Sequence, residues 1–166
     1  MRPTKDQLYL DMAKLIAQGA TCLRRSVGCV LVNAKGQVLS TGYNGVASGL
    51  PHCNERREEY LSGTRLIKGF HYPHACDGAY SPSGTNLDCC QAIHAEQNAL
   101  LQCRDVYEIH TCYTTVSPCI TCVKLLMNTS CQRIVFWERY AQDEAAQKLW
   151  ETKWGSNSSW VHRSAL

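Results

Sequence analysis

With 166 residues, 45% hydrophobic and 19% charged, the chain has the material for one full-sized core and lacks the composition of a disordered protein. A net charge of +3 is too mild for a nucleic-acid reader, and the tight basic pairs Arg24-Arg25 and Arg56-Arg57 suit a small phosphate ligand or solvated surface. Eleven cysteines, an odd number without an apolar leader or long apolar span, point to metal ligands and free thiols in a reducing, cytoplasmic setting, and away from a disulfide framework or a membrane.

The first predicted element is a helix. Thr4 and Gln7 form a capping-box pattern, Leu8, Met12, Leu15 and Ile16 recur at helical spacing, and Gly19 ends the run. Val27 to Val32 and Val38 to Tyr43 are β-rich runs joined by the turn residues Asn33-Ala34-Lys35-Gly36, which predicts a hairpin. From about 46 to 90 the pattern dissolves into an irregular insert. A short helix over Asn54 to Leu61 fits its composition, and Cys53, Cys76, His71 and His74 are candidates to hold the segment. Helix formers return over Ala92 to Cys103, followed by a strand over Thr111 to Val116 and a helix opened by Pro118. A strand over Arg133 to Trp137, a helix over Asp143 to Trp150 with Asp143 in a capping position, and a last strand over Trp160 to His162 complete the order. That order predicts one α/β domain with helices on both faces of a sheet. His110 and His162, in or near strands, read as structural.

Two clusters carry chemistry: His94-Ala95-Glu96 and Pro118-Cys119-Ile120-Thr121-Cys122. Either alone is weak. Together they match the His-x-Glu … Pro-Cys-x-x-Cys signature of zinc deaminases. Cys119 and Cys122, three apart at a helix start, project from one face, where the helix dipole favours thiolates. With His94 they make three ligands and leave the fourth tetrahedral position for water, the arrangement of a catalytic zinc. Glu96 is then the proton shuttle, provided that His94 lies at the very start of its helix, because residues two apart do not share a face in mid-helix. The expected reaction is attack of activated water on C4 of cytosine with loss of ammonia.

His94-Ala95-Glu96-Gln97-Asn98-Ala99, Ser117-Pro118-Cys119 with Cys122, Thr41-Gly42-Tyr43-Asn44-Gly45 and Cys22-Leu23-Arg24-Arg25-Ser26-Val27-Gly28 together resemble the deoxycytidylate deaminases of phages and bacteria. The resemblance implies a cytidine-deaminase-like three-layer α/β/α sandwich around a five-stranded mixed sheet. It implies conversion of dCMP to dUMP for thymidylate synthesis, a homo-hexamer, and activation by dCTP and inhibition by dTTP, each with magnesium. Asn44 would face nucleotide, Tyr140 would lie near the substrate phosphate, and Gly42 and Gly45 would permit close backbone approach or serve simply as turn glycines. Arg104 would lie at a subunit or effector interface. Some family members hold a second, structural zinc. Cys22 and Cys53 match two of its positions, and Cys76 with Cys90 is the preferred pair for the others among Cys76, Cys89, Cys90, His71 and His74; merely buried thiols are the alternative. Other readings of the zinc signature remain open: a tRNA adenosine deaminase, a nucleoside or free-base deaminase, or a zinc-stapled binding module without turnover.

Overall fold

The computed structural model describes residues 2–53, 76, 78–156 and 159–166. The expected helix over 54–61, the candidate ligands His71 and His74, and the pair Arg56-Arg57 lie outside them.

Helix α1 (Lys5–Ala17) starts where Thr4 Oγ1 accepts the Gln7 N–H at 3.1 Å. The Gln7 side chain turns to Asp11 rather than closing the box. Its buried face is Tyr9, Leu10, Ala13 and Ala17; of the residues expected there, Met12 and Ile16 pack against it half-buried, while Leu8 and Leu15 face solvent. Small residues win that face because the sheet approaches closely. At Gly28 an added methyl would collide with the Ala13 carbonyl and the Ala17 amide.

Strands β1 (Gly28–Val32) and β2 (Val38–Tyr43) form the expected hairpin. Asn33 Oδ1 accepts the N–H groups of Lys35 and Gln37, and Gly36 takes φ 80°. Beyond β1 the sheet continues with β5 (Thr111–Val116), antiparallel to β1, then with β6 (Arg133–Glu138) and β7 (Trp160–His162), both parallel to their neighbours. The order is β2-β1-β5-β6-β7, a mixed five-stranded sheet.

Alternation along the strands separates two cores. Val30, Val32, Tyr113 and Val135 pack on α1. Cys29, Leu31, Cys112, Ile134 and Phe136 face the opposite layer, formed by α2 (Ala95–Gln102), α3 (Ile120–Met127) and α4 (Glu144–Trp154). Burial of each large aliphatic contributes about 1.5–3 kcal/mol before chain entropy is counted. Asp6 of α1 receives two N–H bonds from Arg133, at 2.7 and 2.8 Å, and the Tyr113 hydroxyl at 2.6 Å, which pins the outer helix to β5 and β6.

Ala92 and Ile93 are not the first residues of a helix. They form β4 (Ala92–Ile93), antiparallel to β3 (Gly45–Val46), and α2 begins three residues later than its composition predicts. Pairing across a long chain separation overrides local propensity. This clip brings the two ends of the irregular segment together and delivers His94 to the head of α2.

Candidate metal centre and cleft

His94 is the N-cap of α2 with ψ 155°, so its ring leaves the chain ahead of the first helical turn. The two-residue spacing to Glu96 is thereby no obstacle: Glu96 sits inside the turn, and both side chains border one cavity. The cap is fixed by the His94 N–H donating to Gln97 Oε1 at 3.0 Å, and Asn98 Nδ2 ties α2 to the end of β2 through the Tyr43 carbonyl at 2.8 Å. Beneath the helix, Gly42 lets β2 approach the α2 backbone at Ala95 and Ala99.

Across the cavity β5 ends at Val116, and the chain passes through Ser117 and Pro118 to Cys119, the N-cap of α3, with Cys122 one turn on. The site thus lies beyond the carboxyl ends of parallel strands, where α/β folds place their ligands. The Cys119 and Cys122 sulfurs are each 3.4 Å from His94 Nδ1. A tetrahedral zinc with bonds of about 2.3 Å to sulfur and about 2.0 Å to nitrogen sets an S–N edge of about 3.5 Å, so the three side chains fit that ion. Among the described residues, they are the one set of three such donors whose ligand atoms lie within 4.8 Å of one another. Glu96 is 4% exposed and its Oε2 is 3.6 Å from the Cys122 sulfur.

The two thiols are shifted in opposite directions, and the hydrogen bond with Cys119, with burial, pushes Cys122 up. The Cys122 thiol, hydrogen-bonding to Cys119, holds the latter down to about 4, against the opposing effect of burial. The hydrogen bond with Cys119 raises His94. Burial pushes the Glu96 carboxyl above its ordinary value.

The cleft has a volume of about 630 Å³ with its open mouth included. His94, Cys119 and Glu96 line it together with Arg24, Arg25, Ser83 and Tyr140. Arg24 Nη2 donates to the Thr85 carbonyl at 2.7 Å, drawing the 82–85 turn over the cleft. Among the described residues, Arg24 Nη1 and Arg25 Nη1 have no hydrogen-bond partner although both atoms are buried.

The predicted substrate residues divide. Tyr140 lines the cleft beside Ser83. Asn44 borders it too, but its amide serves the chain: Oδ1 accepts the Val27 N–H and Nδ2 donates to the Arg25 carbonyl, both at 2.7 Å. It holds the Arg24-Arg25 segment in place. Gly42 and Gly45 are outside the cleft lining; Gly42 lies under α2, and Gly45 pairs with Ile93 in the clip. Arg104 is exposed beyond the end of α2. Cys53 and Cys76 are buried together with Cys90 packed against them, and Cys22 hydrogen-bonds Cys90 at the cleft wall. These four thiols share a neighbourhood without three of them reaching ligand spacing. His110 bonds Thr111 and His162 bonds Ser164, in keeping with structural roles. Ser83 was missed, since nothing local in sequence distinguishes it from other turn serines, and Ser117, part of the motif before Cys119, was given no role of its own.

A His–Cys–Cys triad facing a buried glutamate on this sandwich is the framework of a hydrolytic metal site. The chain matches the cytidine and deoxycytidylate deaminase zinc-binding region over residues 3–138 and belongs to that family. It is similar to the deoxycytidylate deaminase of Mycobacterium phage D29, 36% identical over 136 residues that cover 81% of this chain and 95% of the phage protein. The Saccharomyces cerevisiae deoxycytidylate deaminase is 32% identical over 151 residues, 90% of this chain but 42% of the yeast protein. The chain thus spans about two fifths of that relative, as it does of the Schizosaccharomyces pombe enzyme, where the share is 41%. Among solved structures, the dCMP deaminase from cyanophage S-TIM5 in complex with dCMP and dUMP shares the fold, with TM-score 0.66, 21% identity and 98% coverage of both chains. No helix among the described residues is long and apolar enough to cross a membrane.

Proposed function

We propose that this protein hydrolyses dCMP to dUMP and ammonia, supplying dUMP for thymidylate synthesis. The observation that carries the reading is one cleft bordered both by the His94–Cys119–Cys122 donor set with Glu96 and by two buried guanidinium nitrogens that have no hydrogen-bond partner among the described residues. The donor set suits an amine-bearing base and the guanidinium groups a phosphate, for which arginine is the natural partner. The names of the phage and yeast relatives agree with it.

His94, Cys119 and Cys122 would hold zinc, which supplies the Lewis acidity that makes water nucleophilic near neutral pH. Glu96, dry and next to Cys122, takes a proton from the attacking water and passes it to N3 of the ring. It then takes the remaining proton from the new C4 hydroxyl and delivers it to the departing amine as the C4–N bond breaks and the carbonyl forms. Arg24, Arg25 and Tyr140 orient the nucleotide by its phosphate, and the 82–85 turn limits water at the reacting carbon.

The proposal extends to the finer features of the resemblance: dCTP activation and dTTP inhibition with magnesium, a homo-hexamer, a cytoplasmic setting, and a structural zinc held by Cys22, Cys53, Cys76 and Cys90. Ammonia release from dCMP, deoxycytidine, cytidine and a tRNA stem-loop, measured side by side, tests the activity. dCMP is expected to be the preferred substrate, and Arg25→Ala to lower its kcat/KM by about 10-fold or more while leaving deoxycytidine unaffected. Faster turnover of deoxycytidine or tRNA would refute the reading.

A further inference from the structure

Asp143 precedes α4 in the position of a capping residue, yet its carboxylate makes no cap bond with its own helix. It is 4% exposed, and the Ser117 hydroxyl, itself 3% exposed, donates to Asp143 Oδ2 at 2.8 Å. Ser117 Oγ in turn accepts the Tyr140 N–H at 2.7 Å. The Asp143 N–H donates to the Tyr140 carbonyl at 3.2 Å, closing the 140–143 turn, and the Ser117 N–H donates to the Glu138 carbonyl at 2.8 Å. Arg139 reaches both Asp143 oxygens, at 3.2 and 3.3 Å, from the solvent side.

Resting on the reading of the cleft given above, we propose that Asp143 is a positioning residue for substrate, acting through Ser117 on Tyr140. Each link has a physical reason. A serine hydroxyl that accepts one backbone N–H has its single proton free to donate, and a buried carboxylate fixes where that proton points. With the proton directed at Asp143, the Ser117 lone pairs face the Tyr140 amide and hold that residue on the wall of the cleft that Ser83, Arg24 and Arg25 also line. Without the carboxylate the hydroxyl is free to rotate, the amide loses its fixed acceptor, and the phenol drifts from its place on that wall. Cys119 also has a tie that does not pass through Asp143, the Val123 N–H donating to its carbonyl at 3.0 Å. A capping role would instead stabilise α4 and leave substrate recognition untouched.

The test uses the zinc-loaded full chain with Asp143→Ala, Asp143→Asn, Ser117→Ala, and Asp143→Ala combined with Tyr140→Ala, assayed on dCMP and on deoxycytidine. Asp143→Ala is expected to raise KM for dCMP about 10-fold, with kcat within about threefold and deoxycytidine kinetics little changed. Asn, whose carbonyl still accepts the serine proton, restores most of the loss. In the Tyr140→Ala background the Asp143 substitution adds less than about twofold. Binding of dUMP by calorimetry follows the same ranking, which keeps the test informative for a variant that folds but turns over slowly. Equal losses on dCMP and deoxycytidine, full additivity with Tyr140→Ala, or unchanged dCMP kinetics in Asp143→Ala would overturn the positioning role while the deaminase reading stands. A wild-type protein that neither binds dUMP nor releases ammonia from dCMP would overturn both.

Discussion

Replacing Gly42 by alanine tests how the sheet sets the site. The added methyl would lie inside the contact distance of the Ala95 carbonyl oxygen and the Ala99 amide nitrogen, and 3.0 Å from Ala99 Cα. These are backbone atoms of α2, so no side-chain rotation relieves the clash; the helix must move by a large part of an ångström. Overpacking of this kind costs about 1–3 kcal/mol, and contact with the helix backbone at two residues puts Gly42→Ala at the upper end. The same movement carries His94 and Glu96, which stand at the head of that helix, away from Cys119 and Cys122. A misplacement of about 1 Å is worth up to about 100-fold in rate. Gly28→Ala is the control. Its methyl meets Ala13 and Ala17 of α1, on the other face of the sheet. Urea unfolding should find both variants destabilised by a similar amount, whereas ammonia release from dCMP per folded molecule should fall steeply in Gly42→Ala alone. Equal kcat in the two variants, or wild-type stability in Gly42→Ala, would refute the argument.

Glu96→Gln should retain zinc in metal analysis while kcat falls by about 100-fold or more, because the amide keeps the volume but cannot shuttle a proton. Chelation, or His94→Ala, should remove the catalytic metal and its activity together, with recovery of the chelated protein on adding zinc; activity persisting in metal-free protein would contradict the donor set. Asp6→Asn should cost about 2 kcal/mol in urea unfolding at pH 7. The Arg133 guanidinium holds the Asp6 carboxyl below its ordinary value, so this contribution is complete above about pH 4, where an unfolded aspartate is ionised. It fades as pH falls through the lower folded-state pKa, so the gap between variant and wild type should narrow in acid. A gap that stays constant to pH 2 would count against the pair.

The strands and the metal donors were legible because their signals are local. The apolar run of β1, the Asn33 turn and the Pro118-Cys119 helix start each carry their meaning within a few residues. What escaped was non-local. Ala92 and Ile93 read as helix because the partner that makes them a strand, Gly45–Val46, lies far back along the chain. Leu8 and Leu15 looked like core, but Gly28 opens a close approach that favours Ala13 and Ala17. Asn44 borders the cleft as its motif suggests, and the fold adds a second task, holding the backbone at Arg25 and Val27. Asp143 has the sequence position of a cap and the bonding of a strut. Polar side chains near a site are the hardest to assign from sequence, since their choice between substrate and backbone depends on atoms brought in by the fold.

The β3–β4 clip has an evolutionary corollary. Because Gly45–Val46 and Ala92–Ile93 are hydrogen-bonded to each other, the geometry at His94 is decoupled from the number of residues in the excursion between them. Closing a longer loop adds only about 0.6 kcal/mol for each doubling of its length. The excursion is therefore free to change in length ahead of the 82–85 turn that borders the cleft, like an interchangeable attachment on a fixed mount, while the donors beneath it keep their places.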